Sequence, residues 1–457
     1  MLLLACAWLA CPQSRCDPAI TRADLERTER FLASDELAGR VVGSREAMRA
    51  ADWLAMALAR ADLAPGGDGG TFLQDVPLLS TRFASVPHLA AGDASFVNGV
   101  DFDLFGLPPA GTLRVVPVAR AEDLPAPASD VAPFLDGPLS ERRAWLGDGQ
   151  GKGFGLLITP GSDKDGEGEA TPRSQRWVGT EAERPTASLR ARGKLLAALR
   201  QGTLKSVTLD AHATLAHEPA ANVIGVLRGV GAPGRAELAR ECVVVSAHYD
   251  HIAYSPPRGA APDPAADTIM NGADDDASGC AAVLELAEAL AAAPPPARTL
   301  VFLFATGEEA GLLGTDWYIE HPTVPLAQTV CNLNFEMIGR ADPLAGGAGK
   351  LWLTGDERSN LGDAFRALGI PVVVDPRPDQ HFFERSDNIA FARLGIVAQT
   401  LSSFNLHTDY HGPDDEIERL DFAHMESAVR ASLPGLRALA DGSLVPAWKP
   451  GGDPSKH

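Results

Sequence analysis

Basic residues are in short supply, with 40 Lys and Arg against 60 Asp and Glu and a formal charge of −20. That deficit argues against nucleic acid or an anionic membrane as partner, because both require basic patches that displace counterions. A membrane-spanning run is also lacking, since the apolar stretch at residues 1–11 is too short to cross a bilayer. Cysteines number six, and Cys6, Cys11 and Cys16 all fall at the very start. Cys242, Cys280 and Cys331 are widely spaced among apolar neighbours. That spacing excludes a disulfide framework or a zinc ribbon and reads as core thiols.

Glycine (45) and proline (35) are plentiful, so turns and loops are expected in place of a helical bundle. At 457 residues the chain exceeds one ordinary core, and two domains or one enlarged domain are expected. Residues 1–16 read as a signal or lipoprotein-type leader, with Cys6 in a loose lipoprotein box. The expected location is therefore extracytoplasmic: secreted, periplasmic or lipid-anchored to the cell envelope. Residues 17–89 are helical in pattern up to Leu63, starting at Thr21, and break at the glycines after Pro65. From 90 to 216 proline-rich pieces alternate with short apolar runs, the texture of a small β-rich insertion. Residues 217–446 hold the sharpest signals, and 447–457 read as a flexible tail.

Within 217–446, apolar strand candidates at 221–227, 242–247, 299–305 and 329–335 alternate with helices near 277–293 and before Ile319. This alternation specifies an α/β fold with a mostly parallel mixed sheet flanked by helices. Ligands of such sheets bind beyond the carboxyl ends of the strands. His248, Glu308, Glu309 and Glu336 each stand just after an apolar strand.

Five polar segments would converge at that edge. His248 and Asp250 pair an imidazole with a carboxylate able to orient it. Asp274, Asp275 and Asp276 repel one another unless a cation or a helix N-terminus absorbs their charge. Glu308 and Glu309, side by side, make sense as one metal ligand and one base. Glu336 is an acid at a buried strand end, where a partner is usual. His407 and His411 are four apart, but Gly412 and Pro413 break any helix, so a loop donating one histidine fits better.

In this order the set resembles the M28 family of zinc metallopeptidases. The resemblance extends to the segment from Phe31 to Arg40, to Asn222 with Gly225, to Gly307 through Gly314, to Arg385-Ser386-Asp387 and to Tyr410 through Pro413. It implies two zinc ions per chain bridged by Asp275, one completed by His248 and Glu336 and the other by Glu309 and His411. Glu308 would be the general base. Asp250 would orient His248 from behind, and Asp276 would follow Asp275 through a cis peptide bond. The implied reaction is hydrolysis of amino-terminal residues from peptides with a free amino terminus. The 90–216 insertion is similar to a protease-associated domain.

Two departures stand out: Glu336 where many members have Asp, and Asn388 where the family often has His, which would alter the pocket wall. Glutaminyl cyclase-like or carboxypeptidase activity on the same fold remains an alternative, as does a non-catalytic receptor-like module. Phe382, Phe383 and Phe404 are candidates for an apolar subsite or for core.

Overall fold

Long apolar runs that need burial on both faces dictate the centre of the larger folding unit. Its strands are β1 (Ala64–Pro65), β2 (Leu73–Asp75), β3 (Ala221–Leu227), β4 (Cys242–His248), β5 (Thr299–Ala305), β6 (Thr329–Phe335), β7 (Leu351–Leu353), β8 (Val372–Val374) and β9 (Val397–Ser402). They form a nine-stranded sheet in the order β1-β3-β5-β4-β6-β9-β7-β8, with β2 added to β3. The inner pairs β5·β4, β4·β6 and β6·β9 are parallel. β3 and β7 run antiparallel to their inner neighbours. The structure is a computed structural model describing residues 19–109, 111–146, 151–161, 176–183, 185–254 and 265–456. The leader expected at 1–16 lies outside the described residues.

The α-helices of this unit are α1 (Arg22–Leu32), α2 (Arg45–Arg60), α3 (Ser278–Ala291), α4 (Leu313–Glu320), α5 (Leu361–Ala367), α6 (Asn388–Ala392) and α7 (Phe422–Asp441). Side-chain caps start three of them: Thr21 accepts from the Asp24 amide, Ser44 from Ala47 and Asp421 from Ala423 and His424. Alternation along each strand feeds two cores. Val243, Val245, Phe302 and Phe304 pack with α1, α2, α3 and α7, whereas Val244, Val301 and Leu303 pack with Tyr318 of α4 and Phe391 of α6. Cys242, Cys280 and Cys331 are buried free thiols, as their neighbours predict. Burial pushes Cys242 and Cys331 up to about 12, so neither is a reactive thiolate.

The second unit comprises Val76–Pro219 and Tyr254–Asp267. It holds an eight-stranded sheet and a three-stranded sheet over a core that includes Phe102, Leu104, Phe134 and Leu189. The β-rich character matches the expectation, but the unit begins at Val76 and not at residue 90. The reason is a long-range pairing: Leu78–Phe83 runs antiparallel to Ala213–Glu218, closing the unit on itself.

The tail expected to be flexible from 447 is held as far as it is described. Trp448 donates from its indole to the Gly395 carbonyl at 2.9 Å, and the Lys449 amide reaches Arg358 at 2.7 Å. No helix among the described residues is long and apolar enough to cross a membrane.

Candidate active site

The carboxyl ends of the central strands come level, with His248 opposite Ala305 and Ser246 opposite Asn334. β5 and β6 flank β4 on opposite sides, so this is where chain order reverses and a cleft opens. His248 ends β4, Glu308 and Glu309 follow β5, and Glu336 follows β6. The entrance to α3 adds Asp275, and the loop before α7 adds His411.

Two groups of ligand atoms form around one shared carboxylate. His248, Asp275 and Glu336 make the first, with His248 Nε2 3.4 Å from Asp275 Oδ1. The second centres on the other oxygen: His411 Nε2 lies 3.1 Å from both Asp275 Oδ2 and Glu309 Oε1. His251 joins it, with Nδ1 3.0 Å from Glu309 Oε1. Glu308 Oε2 sits 4.0 Å from His248 Nε2, beside the first group. The five residues expected to hold metal, and the expected base, are thus brought together.

Each acid of the run 274–276 has its own task. Asp275 faces the histidines, and its peptide bond to Asp276 is cis, as the resemblance implies. Asp276 is fully buried and accepts from the backbone amides of His248 (3.3 Å), Gly279 (3.0 Å) and Met337 (3.0 Å). It therefore ties β4, α3 and the segment after β6 to one point. Gly279 permits this approach, since a Cβ there would lie 2.4 Å from both Asp276 Oδ1 and the Phe335 carbonyl. Asp274 is more than charge at a helix entrance. It accepts from the Gly339 amide at 2.7 Å and lies 3.0 Å from His407 Nε2, which accounts for that histidine without metal.

Asp250 differs in detail from its expected role. The His248 Nδ1 partner at 3.2 Å is the Asp250 backbone carbonyl, with its carboxylate at 3.8 Å. The carboxylate instead accepts from the Glu308 amide at 3.1 Å and so anchors the base's loop. Asn388 does not line the pocket wall. It is buried, donating to the Phe383 carbonyl at 3.0 Å and accepting from Thr400 at 2.9 Å.

Three further groups shape the site beyond those expected from the sequence. Asp415 accepts from the amides of Asp274 and Asp275 at 3.1 Å. Arg40, wholly buried, donates to the carbonyls of Leu32, Tyr249, Asn271 and Gly272 and so joins the loops carrying His251 and Asp275. His251 had one visible signal, its place three residues after His248.

The electrostatics call for a cation. Burial pushes Glu308, Glu336 and Asp276 well above the usual carboxylate range, while Asp275, despite its burial, is held well below by His248 and His411. Burial opposes the His411 imidazolium, yet Asp275 and Glu309 outweigh it and raise His411 to about 10. Buried atoms facing this space, His248 Nε2, Glu309 Oε1, Glu336 Oε2 and His251 Nδ1, have no hydrogen-bond partner. Mixed imidazole and carboxylate donors around a shared carboxylate suit zinc, so these residues fit the metal that the resemblance implies.

Next to Glu336 a small pocket is lined by Met337, Trp352, Phe382, Phe404 and Tyr410, with Arg385 at its side. Phe382 and Phe404 therefore face the site, whereas Phe383 packs in the core beneath α6.

A mixed α/β sheet thus gathers histidine and carboxylate groups beyond its parallel strand ends. Residues 222–434 match the model of peptidase family M28. Aminopeptidase YwaD of Bacillus subtilis (strain 168) is 27% identical over 196 residues, 41% of this chain and 39% of that protein. A probable leucine aminopeptidase of Arthroderma benhamiae is 29% identical over 203 residues, 42% of this chain and 52% of that one. The chain thus spans about half or less of these relatives' length. The same fold occurs in an aminopeptidase from Aneurinibacillus sp. strain AM-1, with a TM-score of 0.60 at 19% identity over 94% of this chain and 95% of that one.

Proposed function

We propose that the chain is a di-zinc aminopeptidase that removes amino-terminal residues from peptides. The observation that carries this is the sharing of Asp275 between two ligand groups, one oxygen toward His248 and the other toward His411 and Glu309. His248, Asp275 and Glu336 would hold one ion, and Asp275, Glu309 and His411 the other. Zinc bound there would bring a bridging water's pKa toward neutrality and polarise the scissile carbonyl.

Glu308 supplies the proton transfers. Its carboxylate lies beside the first ligand group, and its amide is anchored by Asp250, so it can accept a proton from the attacking water and return it to the leaving amine. Asp276 and Asp415 keep Asp275 turned toward both sites through their backbone bonds. The aromatic pocket beside Glu336 suits an apolar side chain at the substrate's amino-terminal residue. The names of the relatives support a requirement for a free amino terminus. Similarity to a protease-associated domain for the β-rich unit, and export through the leader, belong to the same proposal.

The test pairs leucyl peptides with free and acetylated amino termini on wild type and Glu308→Gln. Wild type should cleave only the free form. The variant should keep its zinc and fold while turnover drops by about 10²–10⁴-fold. Equal cleavage of blocked substrate, or an unimpaired variant, would overturn the reading.

A further inference from the structure

His251 is buried beside the second ligand group, at 1% exposure, and neither ring nitrogen has a hydrogen-bond partner. A histidine serving only as core is normally satisfied at one nitrogen or both. Here Nδ1 lies 3.0 Å from Glu309 Oε1 and 3.9 Å from Asp275 Oδ2, yet is not aligned for a hydrogen bond to either. Those two oxygens are the same pair that His411 Nε2 approaches at 3.1 Å. Ligand atoms about 2 Å from one tetrahedral ion stand about 3.3 Å apart, the range spanned here.

The backbone is built to put the ring there. Val41 bridges His251 in parallel, and Arg40 grips the carbonyl of Tyr249 at 2.7 Å. Gly272 leaves room for the ring, since a Cβ there would fall 2.6 Å from His251 Cγ and Cδ2.

We propose that His251 is a further protein ligand of the second metal site, giving it His251, His411, Glu309 and Asp275. This rests on the di-zinc reading and makes the two sites unequal. The His248 site keeps three protein ligands and an open position, on the side where Glu308 stands. The His251 site would have four, with the bridging water as a fifth ligand, and the extra imidazole would hold its ion more tightly.

The test is titration of zinc against a competing chelator for wild type, His251→Leu and His251→Asn, together with X-ray absorption to count imidazoles. Wild type should bind two zinc ions with separate affinities and show three imidazoles per two ions. Both variants should lose at least tenfold in affinity at the tighter site and show two imidazoles. Two imidazoles in wild type, or unchanged affinities in folded variants, would overturn the role of His251 while leaving the di-zinc reading intact. Absence of bound zinc in wild type would overturn that reading itself. If circular dichroism shows that neither variant folds, the imidazole count of wild type decides alone.

Discussion

Arg40 carries a full charge into a position with no accessible surface, and it has no ion-pair partner within bonding distance among the described residues. What holds it is backbone, with the carbonyls of Leu32, Tyr249, Asn271 and Gly272 each accepting from the guanidinium. Lysine could not span that set, because its donors radiate from one atom. Arg40→Met should cost about 3 kcal/mol in chemical denaturation, since it orphans several buried carbonyls. A change within about 0.5 kcal/mol would contradict this anchoring role. Residues whose chemistry is local, such as His248 at a strand end or the paired Glu308 and Glu309, were legible in the sequence. Arg40, Asp415 and His251 were not, because their roles depend on contacts made only on folding. Asp415 meets Asp274 across 141 positions of chain.

The helix α3 presents another case, a buried carboxylic acid, Glu285, with other acids close by. Burial first, then the neighbouring Glu288 and Asp24, raise Glu285 to about 9. A raised carboxyl pKa leaves stability undiminished below the unfolded value near 4.5 and lowers it progressively as pH climbs through about 9. Glu285→Gln should therefore match wild type most closely at pH 4–5 and exceed it by about 1–3 kcal/mol at pH 8 in urea unfolding. A gap that stays constant across that range would contradict the buried-acid account. Elements with strong apolar patterns were read closely: the runs 221–227, 299–305 and 329–335 coincide with β3, β5 and β6. The edge of the second unit was missed because Leu78–Phe83 owes its place to Ala213–Glu218, a pairing that local pattern does not record.

At the scale of the whole molecule, the larger unit gathers every proposed ligand from segments that begin at His248 and end at His411, while the β-rich unit supplies none of them. The convergence has one hinge. Asp275 is held by Asp415 through its amide and faces His248 with one oxygen and His411 with the other. Any account of two metals in this cleft requires that carboxylate. The most direct measurement is zinc per chain, by mass spectrometry after equilibration with a weak chelator, for wild type and Asp275→Ala. Two zinc ions in wild type and fewer than one in a folded Asp275→Ala are predicted. Undiminished zinc in that variant would contradict the shared-carboxylate centre.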